Sequence, residues 1–207
     1  MTLNAGLQDA HYQHWAQKDA NLTGSWDPKS NVRGGGIRPP GMPGGARAIT
    51  LQPGQALFRW ASTRVSDPSA SPWWSSKRSA QGILRETYRN AEAYQSIDTS
   101  GVARSFSGVA RGWSNLGKVI VLRVVAPVRC FMGMGKPVED DLMVGDEKVT
   151  TRYDEQLQLY IPNMAERDAN NRPKRTVISQ SYFAFVGLYT SDEFSSWQWS
   201  KATGLRL

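Results

Sequence analysis

The sequence predicts an α+β fold, with helices early in the chain and strands concentrated in its second half. Apolar residues recur at helical spacing before residue 113, whereas alternating or nearly continuous apolar runs dominate from residue 118 onward. Because strands and helices do not alternate regularly, a doubly wound βαβ architecture is not expected. The 207 residues, 40% of them hydrophobic and eight of them tryptophan, are enough to bury one substantial core.

The first 47 residues are predicted to form a region separate from the main domain. Residues 4–20 space apolar side chains among polar ones in a pattern compatible with a short amphipathic helix. Asp27 to Arg47 is so rich in glycine and proline that it predicts a linker or extended arm. The domain proper is therefore expected to comprise residues 48–207.

Two strands and two helices are predicted between residues 48 and 113. Ala48 to Gln52 and Gln55 to Ala61 have strand character around a Pro-Gly turn. Trp73 to Ala93 predicts a helix, because a proline precedes it and an apolar stripe follows one face. Gly101 to Trp113 carries a second, weaker helical pattern.

The second half of the chain predicts mainly strands. Lys118 to Met132 is nearly continuously apolar, as in a central buried strand. Val138 to Glu147 concentrates carboxylates and predicts an exposed acidic loop. Residues 166–175 predict a charged turn, and Val177 to Tyr189 predicts a long strand.

The most informative stretch is Asp154 to Pro162, which alternates like a strand and ends at a proline that cannot donate to a ladder. One predicted face carries Leu157, Leu159 and Ile161, and the other carries Gln156, Gln158 and Tyr160. This resembles the last motif of the ADP-ribosyltransferase family, in which a glutamine or glutamate, a spacer and the catalytic glutamate precede three apolar residues and a proline. Gln158 occupies the position of that catalytic glutamate.

Arg59 lies in the middle of the first predicted strand of the core, between Phe58 and Trp60. It resembles the arginine that binds the NAD phosphates in one large branch of the family, and the resemblance implies that Trp60 borders the same pocket. A guanidinium suits this role because it offers planar, bidentate, permanently charged recognition. The alternative is an edge-strand arginine that faces solvent.

Two segments compete for the serine-rich motif that supports the nicotinamide pocket in this family. Thr99 and Ser100 precede a short helical pattern and an apolar strand, which is the order found in the family. Trp74 and Ser75 follow Trp73, and their segment offers indoles that could stack on nicotinamide or adenine. The alternatives are a helix N-cap at Thr99-Ser100 and ordinary core packing of the two tryptophans.

The resemblance implies a split β-sheet core, NAD as co-substrate without a metal, and catalysis by Gln158 with Arg59. It also places Arg152 and Tyr153, in the loop Asp146 to Asp154, with Gln156 where the acceptor is recognised. Glutamine can accept a hydrogen bond from a ribose hydroxyl but supplies no negative charge. Gln158 is therefore either functional as it stands, replaced in its role by Glu155 or Asp154, or the mark of an inactive relative.

Compact basic members of this kind look like toxin tips of bacterial secretion systems. The resemblance thus implies a secreted effector that acts in the cytoplasm of a target cell as a monomer, modifies a protein or RNA, and is neutralised by an acidic immunity protein. The net charge of +7 also favours polyanionic partners. NAD hydrolysis and a non-catalytic nucleic-acid- or protein-binding module remain the alternatives.

Other chemistries find little support in the composition. Cys130 is the one cysteine and lies in an apolar run, which predicts a buried, inert thiol. The two histidines, His11 and His14, predict a solvated helix face rather than a zinc site. The acidic residues from Val138 to Glu147 have no histidine among them, so a metal-dependent hydrolase is not favoured. Neither a signal peptide nor a membrane span is expected.

Overall fold

A computed structural model of the chain describes residues 1–16, 33–34, 36–65, 67–94, 98–107, 109, 114–136, 138–144, 147–153, 157–170 and 172–195. At residues 33–34, 94, 139–144, 147–153, 173 and 195 it describes the backbone alone. None of the helices in these ranges combines the length and the apolar character that a membrane crossing requires.

The described elements confirm the α+β class. The strands are β1 (Arg33–Gly34), β2 (Arg47–Leu51), β3 (Ala56–Ala61), β4 (Trp73–Ser76), β5 (Lys118–Val124), β6 (Val128–Met134), β7 (Val138–Val144), β8 (Glu147–Tyr153), β9 (Leu157–Tyr160), β10 (Ala165–Arg167), β11 (Pro173–Arg175) and β12 (Phe183–Thr190). The helices are α1 (residues 12–16, after a 3-10 turn at Asp9–His11), α2 (Lys77–Tyr94), α3 (Thr99–Ser107), α4 (Val177–Gln180) and α5 (Ser191–Ser195).

Seven strands form one antiparallel sheet in the order β12-β5-β3-β4-β9-β6-β2. The arginine strand β3, the serine strand β4 and the glutamine strand β9 are therefore direct neighbours at its centre. Strands β1, β7 and β8 form a second sheet, and β10 and β11 form a hairpin. The chain order scatters across the main sheet, so its register depends on long-range pairing.

One face of the main sheet, here called the opposite face, carries Leu57, Trp74 and Leu159. Ile161 and Met164, which follow β9, are buried in the same cluster. The segment after β9 therefore covers this face.

The other face, here called the helix face, has two different covers. Helices α2 and α3 pack over the half that bears Phe58 and Val121. The N-terminal segment packs over the half that bears Phe131 and Tyr160. Gln158 shares this face with Tyr160, two residues away on β9, and lies where the two covers meet.

The described N-terminal residues belong to the core. Leu7, Tyr12, Ile37 and Ala46 are buried together with Phe131 and Tyr160 in one cluster. The Tyr12 hydroxyl donates to the Ile37 carbonyl over 2.9 Å and accepts from the Ile37 N–H over 2.7 Å. Burial raises the pKa of Tyr12 to about 12. Within the predicted linker or extended arm, residues 37, 45 and 46 are buried, whereas residues 41–44 are exposed.

The strand and turn predictions for residues 48–61 are confirmed within one residue by β2 and β3, with Gly54 at φ 91° in the turn. The helix predicted from Trp73 begins only at Lys77, because Trp73 and Trp74 pair with β9 as strand β4. Pairing with neighbours on both sides overrides the local helical pattern. The second helix starts at Thr99 because the Asp98 carboxylate accepts from the Gly101 N–H over 2.8 Å.

The single strand predicted over Lys118 to Met132 is two strands. Pro127 interrupts it, since proline has no N–H for a ladder. The resulting strands β5 and β6 lie apart in the sheet, separated by β3, β4 and β9. The apolar composition correctly predicted that these residues are buried. Only the prediction of one continuous strand was wrong.

The acidic loop predicted over Val138 to Glu147 is wrong over most of its length. Val138–Val144 is strand β7 and pairs with β8, whose residues were expected to form the recognition loop. The backbone register sets Glu139 opposite Arg152. The acidic composition suggested a loop because composition alone does not show that this segment pairs with β8.

The last predicted segments are partly confirmed. The charged turn lies within the hairpin of β10 and β11. The strand predicted from Val177 begins at Phe183, because Thr176 caps the short helix α4 by accepting from the Ser179 N–H over 3.1 Å. The exposed patch of α4 and β12 includes Val177, Ile178 and Phe185.

Gly133 provides a direct test of how the N-terminal segment packs. A Cβ at this position would lie 2.5 Å from Ile37 Cγ2 and 3.0 Å from the Ala46 nitrogen and the Gly44 oxygen. Overpacking against backbone atoms typically costs about 1–3 kcal/mol, so Gly133→Ala is expected to lower the free energy of unfolding by that amount. Urea denaturation measures it, with Gly6→Ala as the control because nothing lies within 4 Å of a Cβ there. Equal midpoints for both variants would contradict the packing described.

Candidate functional site

Gln158 lies at the centre of the main sheet and is half-buried. Its register partner on β6 is Gly133, which the N-terminal segment covers. On its other side β4 places Ser75 on the helix face, directly opposite Phe58 of β3. Gln158 thus lies between Gly133, over which Ile37, Gly44 and Ala46 pack, and Ser75, which is buried, while its own side chain is half-buried.

Helix α3 holds the Gln158 side chain. The amide nitrogen Nε2 donates to the main-chain carbonyl of Ser107 over 2.7 Å. Ser107 is the last residue of α3, where carbonyl groups lack partners within the helix. The contact fixes the orientation of the amide, because only its nitrogen can donate to a carbonyl oxygen.

The first turn of α2 is tied to β9 beside Gln158. Ser79 Oγ donates to the Leu157 carbonyl over 3.1 Å, and the Ser79 N–H donates to Ser76 Oγ over 3.2 Å. Lys77 and Arg78 precede Ser79 on this turn, and both are exposed. The exposed positive charges that adjoin these contacts along the chain are therefore on α2.

Thr99 and Ser100 lie at the far end of α3 from Gln158. Nine helical residues separate the two ends by about 12 Å at 1.5 Å per residue. Thr99 is fully buried, and Ser100 Oγ donates to the Asp98 carboxylate over 2.9 Å. Asp98, rather than Thr99 or Ser100, caps the helix. The structure therefore brings Ser75, and not Thr99 or Ser100, to the glutamine strand.

Arg59 points to the opposite face of the sheet from Gln158. It lies two residues from Leu57, and its Nη1 donates to the main-chain carbonyl of Pro68. Burial lowers the pKa of Arg59 to about 10, and the nearby Asp67 carboxylate partly offsets this effect. Arg59 is therefore neither a solvent-facing arginine of an edge strand nor a phosphate-binding residue beside Gln158. Its guanidinium holds the loop between β3 and β4 and does not share a pocket with Gln158.

The tryptophans predicted to contact a cofactor are core residues. Trp74 is 2% exposed, and its Nε1 donates to the Ser71 carbonyl over 2.7 Å. Trp60 is 5% exposed and packs edge-on against Phe194, with ring centroids 5.4 Å apart. A ligand could stack on neither indole without a rearrangement of the core. The core interpretation is confirmed for Trp74, and Trp73 is partly buried against the core, with its ring centroid 4.8 Å from that of Tyr160.

The predicted recognition residues occupy strand β8 or lie outside the described residues. The backbone of Arg152 and Tyr153 belongs to β8, so the loop expected there is wrong for residues 147–153. Helix α3 contacts β8. Gln156, with Asp154 and Glu155, lies outside the described residues.

Cys130, His11 and His14 are the other reactive groups that the sequence singled out. Cys130 is buried, as predicted, and burial raises the pKa of its thiol to about 12. His11 and His14 are exposed, as predicted for a solvated helix face. Among the described residues no three His, Cys, Asp or Glu side chains gather into a possible metal site.

The sequence did not single out Ser79 or Ser107 as members of this site. Both contacts reach across long sequence separations, 78 and 51 residues, and both end on a main-chain carbonyl. No residue type marks a main-chain acceptor, so only the register and the helix end reveal it. Lys77 and Arg78 were visible as basic residues but not as neighbours of β9.

Comparisons with known proteins do not assign the chain to a family. No family model and no curated protein matches it. A solved structure that is similar is described as "Rhs1-CT in complex with cognate immunity protein RhsI1". Identity is 11%, the similarity covers 70% of this chain and 81% of that chain, and the TM-score is 0.40. Similarity at this level supports no conclusion about function.

Proposed function

We propose that the chain is an NAD-dependent ADP-ribosyltransferase whose site lies on the helix face around Gln158. The observation that carries the proposal is the adjacency of β3, β4 and β9. Strands β3 and β9 carry the resemblance, and β4 carries one of the two candidate serine segments; all three come from distant parts of the chain, and a seven-stranded sheet offers many arrangements that would separate them. Their contact at the centre of the sheet supports a site that Ser75 and Gln158 share on the helix face, with Arg59 on the other face as a supporting residue.

Gln158 is the residue proposed to touch the substrate. Its oxygen accepts a hydrogen bond from a ribose hydroxyl while the bond between nicotinamide and ribose breaks. Nicotinamide leaves with the bonding electron pair, and the electron-poor ribose carbon is captured by an acceptor nucleophile that gives up its proton. An oriented hydrogen-bonding group of this kind contributes about 10²- to 10³-fold to the rate.

Phosphate binding is assigned to the first turn of α2 rather than to Arg59. Lys77 and Arg78 are exposed there, and Ser79 ties this turn to β9. The positive end of the helix dipole also favours phosphate. Arg59 contributes indirectly, by holding the loop that leads into the serine strand.

The acceptor is proposed to be a protein or an RNA, and the biological role that of a toxin effector with an acidic immunity protein. The net charge of +7 supports a polyanionic partner in each case. Hydrolysis, in which water captures the ribose, uses the same residues and differs only in the acceptor.

Nicotinamide release from NAD tests the proposal. The wild-type protein is expected to release nicotinamide, with a higher rate when cell lysate supplies an acceptor. Gln158→Ala is expected to lower the rate at least about 100-fold, as for the loss of one oriented hydrogen bond in a transition state. Gln180→Ala is the matched control, because Gln180 is exposed on α4. Equal rates for both variants, or no release by the wild type with any lysate, would refute the proposal.

A further inference from the structure

The end of α3 places a main-chain acceptor directly beside residue 158, the position at which the resemblance expects a carboxylate. The carbonyl of Ser107 lies 2.7 Å from Gln158 Nε2. Free carbonyls at a helix C-terminus carry the negative end of the helix dipole, equivalent to about half an elementary charge. The environment on this side of Gln158 therefore favours a donor and disfavours an anion.

The contact also determines where the Gln158 oxygen is directed. With Nε2 committed to Ser107, the oxygen Oε1 occupies the other branch of the planar amide. Among the hydrogen bonds of the described residues, none ends on Oε1. The Gln158 side chain lies at the boundary between α3 and the N-terminal segment and is only half-buried. Its oxygen Oε1 is therefore the acceptor available to a ligand.

We infer that the Ser107 carbonyl positions Gln158 for a neutral acceptor role, so that the site is built for glutamine and for a hydrogen-bond donor on its ligand. Ser107 is a positioning residue that acts through Gln158. The inference rests on the proposed function only for the identity of the ligand. Of the three explanations for glutamine here, it selects the one in which Gln158 is functional as it stands.

A glutamate at this position would have the same shape but the wrong polarity. Its ionised carboxylate would face the Ser107 carbonyl as a second acceptor, and one of the two oxygens would have to be protonated to restore the hydrogen bond. The pKa of that carboxyl is therefore expected to rise in the folded protein, with the exposed Lys77 and Arg78 of α2 opposing the rise only weakly because solvent screens them. A raised carboxyl pKa means that the folded state loses stability as the pH rises from the pKa of the unfolded state to that of the folded state, and the loss is complete above the folded value.

The test is the thermal unfolding of Gln158→Glu compared with Gln180→Glu between pH 4 and pH 8. The two variants carry the same change in charge, and Gln180 is exposed on α4. At pH 4 their midpoints are expected to agree, and by pH 8 Gln158→Glu is expected to lie several degrees lower, roughly 3–5 °C for each unit of raised pKa. A side chain that merely filled space would show no such pH profile.

Equal midpoints at every pH, or a Gln158→Glu variant that gains stability at pH 8, would overturn the inference. Addition of NAD to the same melts separates this inference from the proposed function. A pH-dependent loss in Gln158→Glu with no NAD-induced rise in the wild-type midpoint would uphold the positioning role and reject NAD as the ligand. A rise in the wild type that Gln158→Glu retains in full at pH 8 would contradict the neutral acceptor role.

Discussion

Removal of residues 1–47 is expected to unfold the protein, although composition marks 48–207 as the domain. The deletion takes away Leu3, Leu7, Tyr12 and Ile37, all of which are buried. Each fully buried side chain of this size contributes about 1.5–3 kcal/mol. Together they approach the 5–15 kcal/mol that roughly spans the total stability of a typical domain. The deletion would also uncover the aromatic cluster around Tyr160.

Circular dichroism and urea denaturation of the shortened chain measure this effect. The expected result is loss of the cooperative transition or insoluble expression. Tyr12→Phe is a milder companion, because it keeps the ring and leaves the N–H and the carbonyl of Ile37 unpaired, at about 1–3 kcal/mol for each group. Gln13→Ala, at an exposed position of the same helix, should change stability by less than about 0.5 kcal/mol. A shortened chain with the wild-type transition would contradict the packing of the N-terminal segment.

Arg59→Ala is expected to destabilise the protein by about 2–4 kcal/mol. The substitution leaves the Pro68 carbonyl without its donor, which alone costs about 1–3 kcal/mol, and it removes the packing of the arginine stem. It also deprives Asp67 of a nearby positive charge. The Asp67 carboxylate accepts from the N–H groups of Ser69 and Arg175, so the loop before β4 should loosen around it.

Urea denaturation of Arg59→Ala beside Arg123→Ala measures this role. Arg123 is exposed on the adjacent strand β5, and its loss should change stability by less than about 0.5 kcal/mol. Arg59→Lys, which keeps a charge and a donor, should recover part of the stability. If Arg59 instead bound phosphate directly, Arg59→Ala would fold with wild-type stability and lose affinity for NAD. That result would restore the role that the resemblance assigns to it.

The sequence predicted those strands whose pattern is local. The alternation around Leu157 and around Phe58 survived in β9 and β3, because period-two alternation needs no knowledge of the partner strand. Trp73-Trp74 was assigned to a helix because their pairing partners lie far away in the chain. The acidic strand β7 was missed for the same reason, since its basic partner β8 was taken for a loop.

The site was predictable only in part. The sequence located Gln158 but could not show that Arg59 points to the other face, because that depends on register across β3, β4 and β9. It favoured Thr99 and Ser100 over the segment with Ser75, and only the fold places Ser75 beside the glutamine strand. The Ser107 carbonyl could not have been found from residue types, because every residue has such a group.

The most direct test of the central claim is the side-chain amide signal of Gln158 in a nitrogen-15 NMR spectrum, recorded during a titration with NAD. The signal is assigned by its absence from the spectrum of Gln158→Ala. NAD bound on the helix face should shift this signal in a saturable way while the amide of Gln180 on α4 stays unchanged. A Gln158 signal that does not move at saturating NAD, or that moves no more than that of Gln180, would contradict the claim that this glutamine contacts the substrate.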